Sequence, residues 1–294
     1  MTLAASAAAE RLGVPFLVPE AGAPAITGRG FKGVFRTTPV GADFAAINAQ
    51  FLAELKQAGQ KIQTVAFVVE AGDDGAAASA PVREALRAAG FEVAADIGYA
   101  ANATDFAPLV SQLRDQKPDA VIFASAAAGA VLFVKTMKTL DYRPPLLIDA
   151  GSAFSDRAFV ASVGNLAQGV IAHSAWNVSA QGSATAIVND LYKAKTGQNL
   201  DDTAARVMQG FLVLAEAIDR AGSADPAAIR KALRETDLKP DQLIVGYRGV
   251  KFDETGQNAL AASYLIQLQG KQYTAVWPQT TAAAKLVLPY KGWQ

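Results

Sequence analysis

Side chains able to do chemistry are few in this 294-residue chain. Cysteine is absent, which excludes disulfides, thiolate chemistry and cysteine-based metal sites. The single histidine, His173, lies in the apolar run GVIAHSAW, and this setting favours a packed or hydrogen-bonded strand histidine over a catalytic one. No Gly-x-Ser-x-Gly motif, P-loop or histidine-based constellation occurs. The sequence therefore indicates binding rather than catalysis.

Two adjacent carboxylates, Asp73 and Asp74, follow an apolar run and form the most concentrated acidic feature. They could accept hydrogen bonds from an ammonium, amide or hydroxyl donor on a ligand. They could equally be solvated turn residues or charges at a helix N-terminus, where each is mildly stabilising. The surrounding Gly72–Gly75 faintly imitates a dinucleotide-binding loop, but the Gly-x-Gly start and the third glycine are missing, so that motif is weak.

These residues lie in a stretch, Thr64 to Asp149, that alternates apolar runs with segments of helical periodicity. The predicted strands are Thr64–Val69, Phe91–Ile97, Ala120–Ser125 and Pro145–Asp149. Such alternation predicts an α/β fold with a parallel sheet covered by helices on both sides. Ligands in such sheets meet the loops at the carboxyl ends of the strands. Those loops are Glu70–Gly75, Ser125–Gly129 and Asp149–Phe154.

The rest of the chain predicts more helices and a small antiparallel set. Helices are expected up to Arg11 and over Val40–Leu55, Ser155–Val163, Gln181–Gly197, Thr203–Gly222 and Pro226–Thr236, with strands at Val14–Val18 and Gly169–Trp176. In Gln181–Gly197 we expect Ile187, Val188, Leu191 and Tyr192 to face inward. Gly270–Lys271 is a tight turn between alternating strands. Two lobes, with chain crossings near Arg36–Pro39, Trp176–Ala180 and Leu238–Gly246, account for this order.

Composition narrows the functional class further. The chain has 27 acidic and 27 basic residues and no basic block, so nucleic-acid binding lacks its usual electrostatic footprint. Hydrophobic residues make up 51%, enough for substantial cores, yet no apolar run approaches the ~20 residues that span a bilayer. The alanine-rich start has no basic region before Glu10 and Arg11, and is not typical of a signal peptide.

Several segments resemble the periplasmic substrate-binding proteins of branched-chain amino acid-type ABC transporters. They are AERLGVPFLVPEAGAPAITGRGFKGVFRTTP, NATDFAPLVSQLRDQKPDAVIFAS, SAFSDRAFVASVGNLAQGV, DRAGSADPAAIRKALRETDL and GVKFDETGQN followed by AVWP. The resemblance implies a type I periplasmic-binding fold with two α/β lobes. The first lobe would comprise residues 1–38 and 178–240, the second 39–177 and 245–280, and residues 281–294 would return over the first lobe or the hinge.

The resemblance also implies a function. The chain is expected to be a periplasmic, non-enzymatic protein without a cofactor or nucleic-acid partner. It would capture a small organic ligand (a carboxylic acid, an amide or an amino-acid-like molecule) in an interlobe cleft by hinge closure and deliver it to the membrane permease of an ABC importer. A ligand-sensing receptor or regulatory module of the same fold is the alternative. Family members have further strands before the position of Met1, so we expect an incomplete first lobe that could self-associate.

By the resemblance, the loop Glu20, Ala21 and Gly22 would offer hydrogen bonds to the ligand. Relatives often have a tyrosine where this chain has Ala126, and an acidic residue, which holds a ligand ammonium, where it has Gly151. Without that carboxylate a bound zwitterion would be poorly compensated. We therefore expect an aliphatic or aromatic acid, an amide or a urea-like molecule rather than a plain α-amino acid. Ser152 and Phe154 would supply a hydrogen-bond donor and an apolar wall.

Two further residues carry open alternatives, and a third is interpreted as structural. Trp176, at the second crossing, could stack on the ligand or pack the lobes together. Arg206 could pair with a ligand carboxylate or with Asp201 or Asp202. Arg36 is interpreted as a structural residue near the hinge.

Overall fold

The computed structural model describes residues 1–150, 153–178 and 183–293; the side chains of residues 73–78, 157 and 183 also lie outside the description. The helices are α1 (Thr2–Arg11), α2 (Gly41–Gln57), α3 (Asp73–Ala88), α4 (Ala107–Gln116), α5 (Ala127–Thr139), α6 (Arg157–Val163), α7 (Ser183–Thr196), α8 (Asp202–Ala221) and α9 (Pro226–Arg234). The strands are β1 (Phe16–Val18), β2 (Val34–Arg36), β3 (Thr64–Glu70), β4 (Glu92–Tyr99), β5 (Ala120–Ala124), β6 (Leu146–Asp149), β7 (Ile171–Ser174), β8 (Asp237–Leu238), β9 (Val250–Lys251), β10 (Tyr264–Gln269) and β11 (Gln272–Trp277).

The chain divides into two compact units. Unit 1 comprises Met1–Val40 and Ala175–Ser263, and unit 2 comprises Gly41–Ser174 and Tyr264–Gln294. Within the described residues, none of the helices has both the length and the hydrophobicity of a membrane-spanning segment.

Unit 2 is built on a seven-stranded sheet with the order β11-β10-β7-β6-β5-β3-β4. The pairs from β4 to β7 are parallel, and β10 and β11 add antiparallel strands at one edge. The chain runs from β3 to β4 on one side and then to β5 on the other side of β3. The sheet therefore changes winding direction between β3 and β5, and in parallel α/β sheets such a switch point opens a crevice outside the carboxyl ends of the strands.

The inner strands β3 and β5 of unit 2 are largely apolar because both faces of the sheet are covered. In β3, Ala66 and Val68 belong to one hydrophobic core, while Val65, Phe67 and Val69 belong to the other. This two-residue alternation follows from strand geometry, in which successive side chains point to opposite faces. The mostly parallel sheet with helices on both sides confirms the predicted α/β fold.

The predicted strands of this block occur within one or two residues of their expected bounds. The helix that follows β3, α3, starts at Asp73, directly after Gly72 with φ 131°. Asp73 and Asp74 thus occupy the first helical turn of α3. Their position agrees with the alternative in which both carboxylates are charges at a helix N-terminus.

Unit 1 contains a pair of three-residue parallel strands, β1 and β2, and the antiparallel pair β8 and β9. Its largest core lies among α8, α9 and the segment 243–252. Gly210 allows α8 to approach the chain after β1, since a Cβ atom there would lie 2.7 Å from the Pro19 Cβ atom. Asp201 caps α8 through a hydrogen bond from the Ala204 amide.

Unit 1 exposes apolar side chains on two of its helices. On α7, Ile187 is 60% and Leu191 is 63% exposed, so the expectation that both face inward is wrong; Val188 and Tyr192 do pack against the core. On α8, Phe211 is 68% exposed. Because helical periodicity identifies an apolar face but not its partner, the sequence alone placed this face in a core.

The unit boundaries differ from the expected lobes at the third crossing. The segment 245–263 belongs to unit 1, where β9 pairs with β8 and the Asn258 side chain donates to the carbonyl oxygens of Thr37 and Gly249. The C-terminal segment belongs to unit 2, whereas the expectation was a return over the first lobe or the hinge. Its Tyr290 donates a hydrogen bond to the Leu166 carbonyl, and Val287 exchanges hydrogen bonds with the Gln267 side chain.

Candidate ligand-binding site

Three polar side chains from neighbouring strands converge at the edge of the unit 2 sheet where the parallel strands β3, β4 and β5 have their carboxyl ends. We call this edge the unit 2 rim. Glu70 is the last residue of β3, Tyr99 is the last residue of β4, and Ser125 directly follows β5. The Tyr99 hydroxyl donates to Ser125 Oγ, and Ser125 Oγ donates to Glu70 Oε2 at 2.7 Å. All three side chains are partly buried. They lie at the switch point between β3 and β5, which is where this class of sheet binds ligands.

Helix α5 packs directly against this network. A Cβ atom at Gly129 would lie 2.6 Å from Ser125 Oγ and closer still to the Tyr99 hydroxyl, so glycine lets the helix approach both groups. The Ala126 amide, at the start of α5, points to Glu70 Oε2 at 3.5 Å. The N-terminus of α5, with its partial positive charge, therefore lies beside the Glu70 side chain.

The phenol of Tyr99 acts as a donor in this network. Burial raises the pKa of Tyr99 to about 12; the hydrogen bond with Ser125 opposes this increase and the nearby Glu70 contributes to it. The phenol is therefore protonated at neutral pH, and the hydrogen bonds run from Tyr99 through Ser125 to Glu70. The ring of Tyr99 packs against Phe106 and Phe123 of the core below.

Ala126 and Phe154, which were also expected to contact the ligand in unit 2, have different positions. Ala126 is exposed at the N-terminus of α5. Phe154 is fully buried and its ring stacks on Phe123 at 5.4 Å, so the structure places it inside the core and not on the rim. Gly151 and Ser152 lie outside the described residues, as do the side chains of Asp73 and Asp74.

Unit 1 has an ion-pair network at the carboxyl ends of its parallel strands β1 and β2, which we call the unit 1 rim. Glu20 follows β1, and its Oε1 lies 2.8 Å from Arg206 Nε. Arg206 also pairs with Asp202, at 2.8 Å from Nη2 to Oδ2, and donates to Thr38 Oγ1 at 3.3 Å. The pairing with Asp202 is thus present, while Asp201 serves as the cap of α8.

The charge state of Glu20 is perturbed. Burial raises the pKa of Glu20 to about 7, because the desolvation of the carboxylate outweighs the opposing attraction of Arg206, and Asp202 and Asp201 add to the increase. The charges of Arg206, Asp202 and Glu20 also act on the buried Tyr247 side chain. Glu20 is therefore a group whose charge changes near neutral pH at a rim expected to contact ligand.

Arg36 holds the loop that follows Glu20. It is buried at the end of β2, and its guanidinium donates to the carbonyl oxygens of Ala21 and Ala23, at 3.3 and 2.7 Å. It also donates to Thr27 Oγ1 at 3.0 Å and Gln257 Oε1 at 2.6 Å. Ala21 and Gly22 are consequently fixed by a side chain from the neighbouring strand. Arg36 has the structural role that its position indicated.

Trp176 and His173 are both buried. Trp176 is 7% exposed and belongs to the hydrophobic core of unit 1, and its backbone amide approaches Asp202 Oδ1 at 3.3 Å. His173 lies in β7 of unit 2, with Phe44 edge-on at 4.8 Å. Burial lowers the pKa of His173 to about 3, so the imidazole is neutral at physiological pH. The packed strand histidine is what the structure shows.

Sequence reasoning missed Glu70, Tyr99 and Ser125 as a group. The loop bounds Glu70–Gly75 and Ser125–Gly129 contained two of them, but Tyr99 lies beyond the expected end of its strand. Strand pairing alone brings the three together. Over the described residues, no three acidic or histidine side chains are close enough to form a metal site.

The family follows from a match over most of the chain. The family model described as periplasmic binding protein matches residues 1–272. The chain belongs to the periplasmic binding protein family. This confirms the resemblance found in the sequence, and it confirms a binding protein rather than an enzyme.

This periplasmic binding protein is similar to Leu/Ile/Val-binding protein homologs and to solved structures of transporter substrate-binding proteins. The Leu/Ile/Val-binding protein homolog 8 of Brucella abortus is 29% identical over 294 residues, which cover 97% of this chain and 72% of the relative. Among solved structures, the branched-chain amino acid transporter substrate-binding protein LivJ of Streptococcus pneumoniae, in complex with isoleucine, superposes with a TM-score of 0.78 at 20% identity, covering 98% of this chain and 76% of that one.

A second solved structure has a different ligand. It is the solute-binding protein of an ABC transporter from Rhodopseudomonas palustris, in complex with 3,4-dihydroxybenzoic acid. It superposes with a TM-score of 0.76 at 23% identity, covering 99% of this chain and 77% of that one. At these identities the superpositions establish a shared fold, and the ligand must be argued from the residues of this chain.

Proposed function

We propose that the chain is the solute-binding component of an ABC importer. It captures a small organic ligand between its two units by hinge closure in the periplasm and delivers the ligand to a membrane permease. The observation that carries this proposal is the family match over residues 1–272. The strand-end rims add support, because each unit presents buried or half-buried polar groups there, as a binding cleft requires.

The ligand class follows from the polar groups of this chain. Proteins of this fold bind isoleucine in one case and 3,4-dihydroxybenzoic acid in another, so the fold admits amino acids and aromatic acids alike. Gly151 has no carboxylate to hold an α-ammonium group. We infer a small carboxylic acid or amide, with Glu20, Ala21 and Gly22 on one rim and Ala126, Ser152 and the α3 N-terminus, with Asp73 and Asp74, on the other.

A thermal-shift screen followed by calorimetry tests this function. The full-length gene product, with any leader removed, is screened against aliphatic and aromatic acids, amides, and the branched-chain amino acids. We expect a member of the first three groups to raise Tm by several degrees, since a ligand at 100 times its Kd stabilises the folded state by about 2.7 kcal/mol. Small-angle scattering with that ligand should show a smaller radius of gyration, as hinge closure requires.

Two results would contradict the proposal. Tight binding of leucine-type amino acids in preference to acids and amides would refute the argument from Gly151. A Tm increase with NAD or ATP, or turnover of any screened compound, would refute a binding protein. Neighbouring genes for a permease and an ATPase, as opposed to a regulator or kinase, separate transport from ligand sensing.

A further inference from the structure

The network at the unit 2 rim has a direction. Tyr99 donates to Ser125 and Ser125 donates to Glu70 Oε2, so both hydroxyl protons are already used within the network. The network can still accept hydrogen bonds from a ligand, chiefly at Glu70 Oε1. Within the part of the chain that the structure describes, Glu70 forms no ion pair, and its contacts with Ser125 Oγ and the Ala126 amide are both made through Oε2; the Tyr99 hydroxyl also interacts with this carboxylate. Arranged in this way, the three side chains can satisfy hydrogen-bond donors of a ligand and have no hydroxyl proton left for its acceptors.

The position of Glu70 is unusual for a carboxylate with a stabilising role only. It is the last residue of β3 and stands beside the end of β5, so it lies at the switch point of the sheet. It is half-buried, and an ionised carboxylate that loses water needs compensation. Ser125 and the start of α5 compensate one oxygen, and a ligand donor would compensate the other.

We propose that Glu70 is the specificity-determining residue of the unit 2 rim, and that it selects ligands bearing a hydrogen-bond donor, either a hydroxyl or a nitrogen-bound hydrogen. Ser125 and Tyr99 are positioning residues that hold the carboxylate with its free oxygen toward the ligand. This inference rests on the proposed function and names the second recognition group of the same site.

Two matched ligand pairs test the inference by calorimetry on the full-length protein. One pair is 4-hydroxybenzoate and benzoate, and the other is L-leucine and 4-methylpentanoate; the first member of each pair differs by one donor group. Glu70→Gln keeps the side-chain shape but removes the charge. The control is Glu92→Gln, which makes the same change at the exposed, opposite end of the sheet.

We expect Glu70→Gln to weaken binding of the donor-bearing member of one pair about 10- to 100-fold, as expected for a lost charge-assisted hydrogen bond. Its donor-free partner should change less than about twofold. The pair that responds identifies the donor as a hydroxyl or an ammonium group. A response of the leucine pair would mean that Glu70 supplies the carboxylate that Gly151 lacks, so the inference would stand while the proposed ligand class would be refuted. Ser125→Ala should reduce the same preference by a smaller factor, and Glu92→Gln should leave it unchanged.

Equal effects on both members of each pair, or no effect, would overturn this inference while solute binding stands. A lower Tm of Glu70→Gln with an unchanged preference would identify Glu70 as a structural partner of α5 only, and would also overturn it. If the wild-type protein binds none of the four compounds, the proposed ligand class fails and the inference fails with it.

Discussion

Removal of the Arg36 guanidinium should destabilise unit 1 and release the loop that follows Glu20. Arg36 lies at the end of β2 with 2% of its surface exposed. The Arg36→Met variant keeps most of the side-chain volume but removes every donor. The carbonyl of Ala23 and the side chains of Thr27 and Gln257 then lose their charged partner.

The magnitude follows from the contacts. Three of the hydrogen bonds are short, at 2.6 Å to Gln257, 2.7 Å to Ala23 and 3.0 Å to Thr27. The bond to Thr27 is buried and those to Gln257 and Ala23 are partly buried. A lost hydrogen bond to a charged group costs about 1 kcal/mol or more, so the three together predict a loss of about 3 kcal/mol in the free energy of unfolding. The longer contact to Ala21, at 3.3 Å, adds little.

Urea unfolding measures the loss, and hydrogen exchange over residues 14–38 locates it. We expect faster exchange of this segment and weaker binding of any ligand found in the screen, because Ala21 and Gly22 lose their support. Arg248→Met is the matched control, since Arg248 is exposed. A loss below about 1 kcal/mol, or equal losses in both variants, would refute this account of the loop.

Three further predictions follow. Because the folded protein holds the Glu20 proton up to about pH 7 and the unfolded chain releases it near 4.5, stability should fall as pH rises between these values; Glu20→Gln should remove this slope in Tm measured at pH 5 and 8. His173 should stay neutral well below pH 6.5, so stability decreases with acidification below that value; an imidazolium NMR signal from folded protein at pH 6 would contradict this. The 294-residue chain should self-associate through Ile187, Leu191 and Phe211, and Phe211→Glu should reduce the mass measured by light scattering; a wild-type monomer would count against it.

The local sequence pattern was sufficient to predict the strands and helices of unit 2 between Thr64 and Asp149. Continuous apolar runs and helical periodicity gave the strands and helices of the block from Thr64 to Asp149, because a sheet covered on both faces needs side chains that alternate between two cores. The same reasoning failed for Ile187 and Leu191. An apolar helix face is visible in the sequence, but whether another element covers it depends on which elements fold against it.

Some features of the candidate site were likewise determined by the sequence alone, and others only by the tertiary structure. The absence of catalytic motifs and the strand-end loops containing Glu20, Glu70 and Ser125 can be read from the chain alone, because they depend on residue type and local order. That Tyr99 reaches Ser125, and that Arg206 pairs with Glu20 across 186 positions of sequence, was decided by tertiary structure. Strand order and helix packing bring such groups together, and neither is encoded in the spacing of the residues that meet.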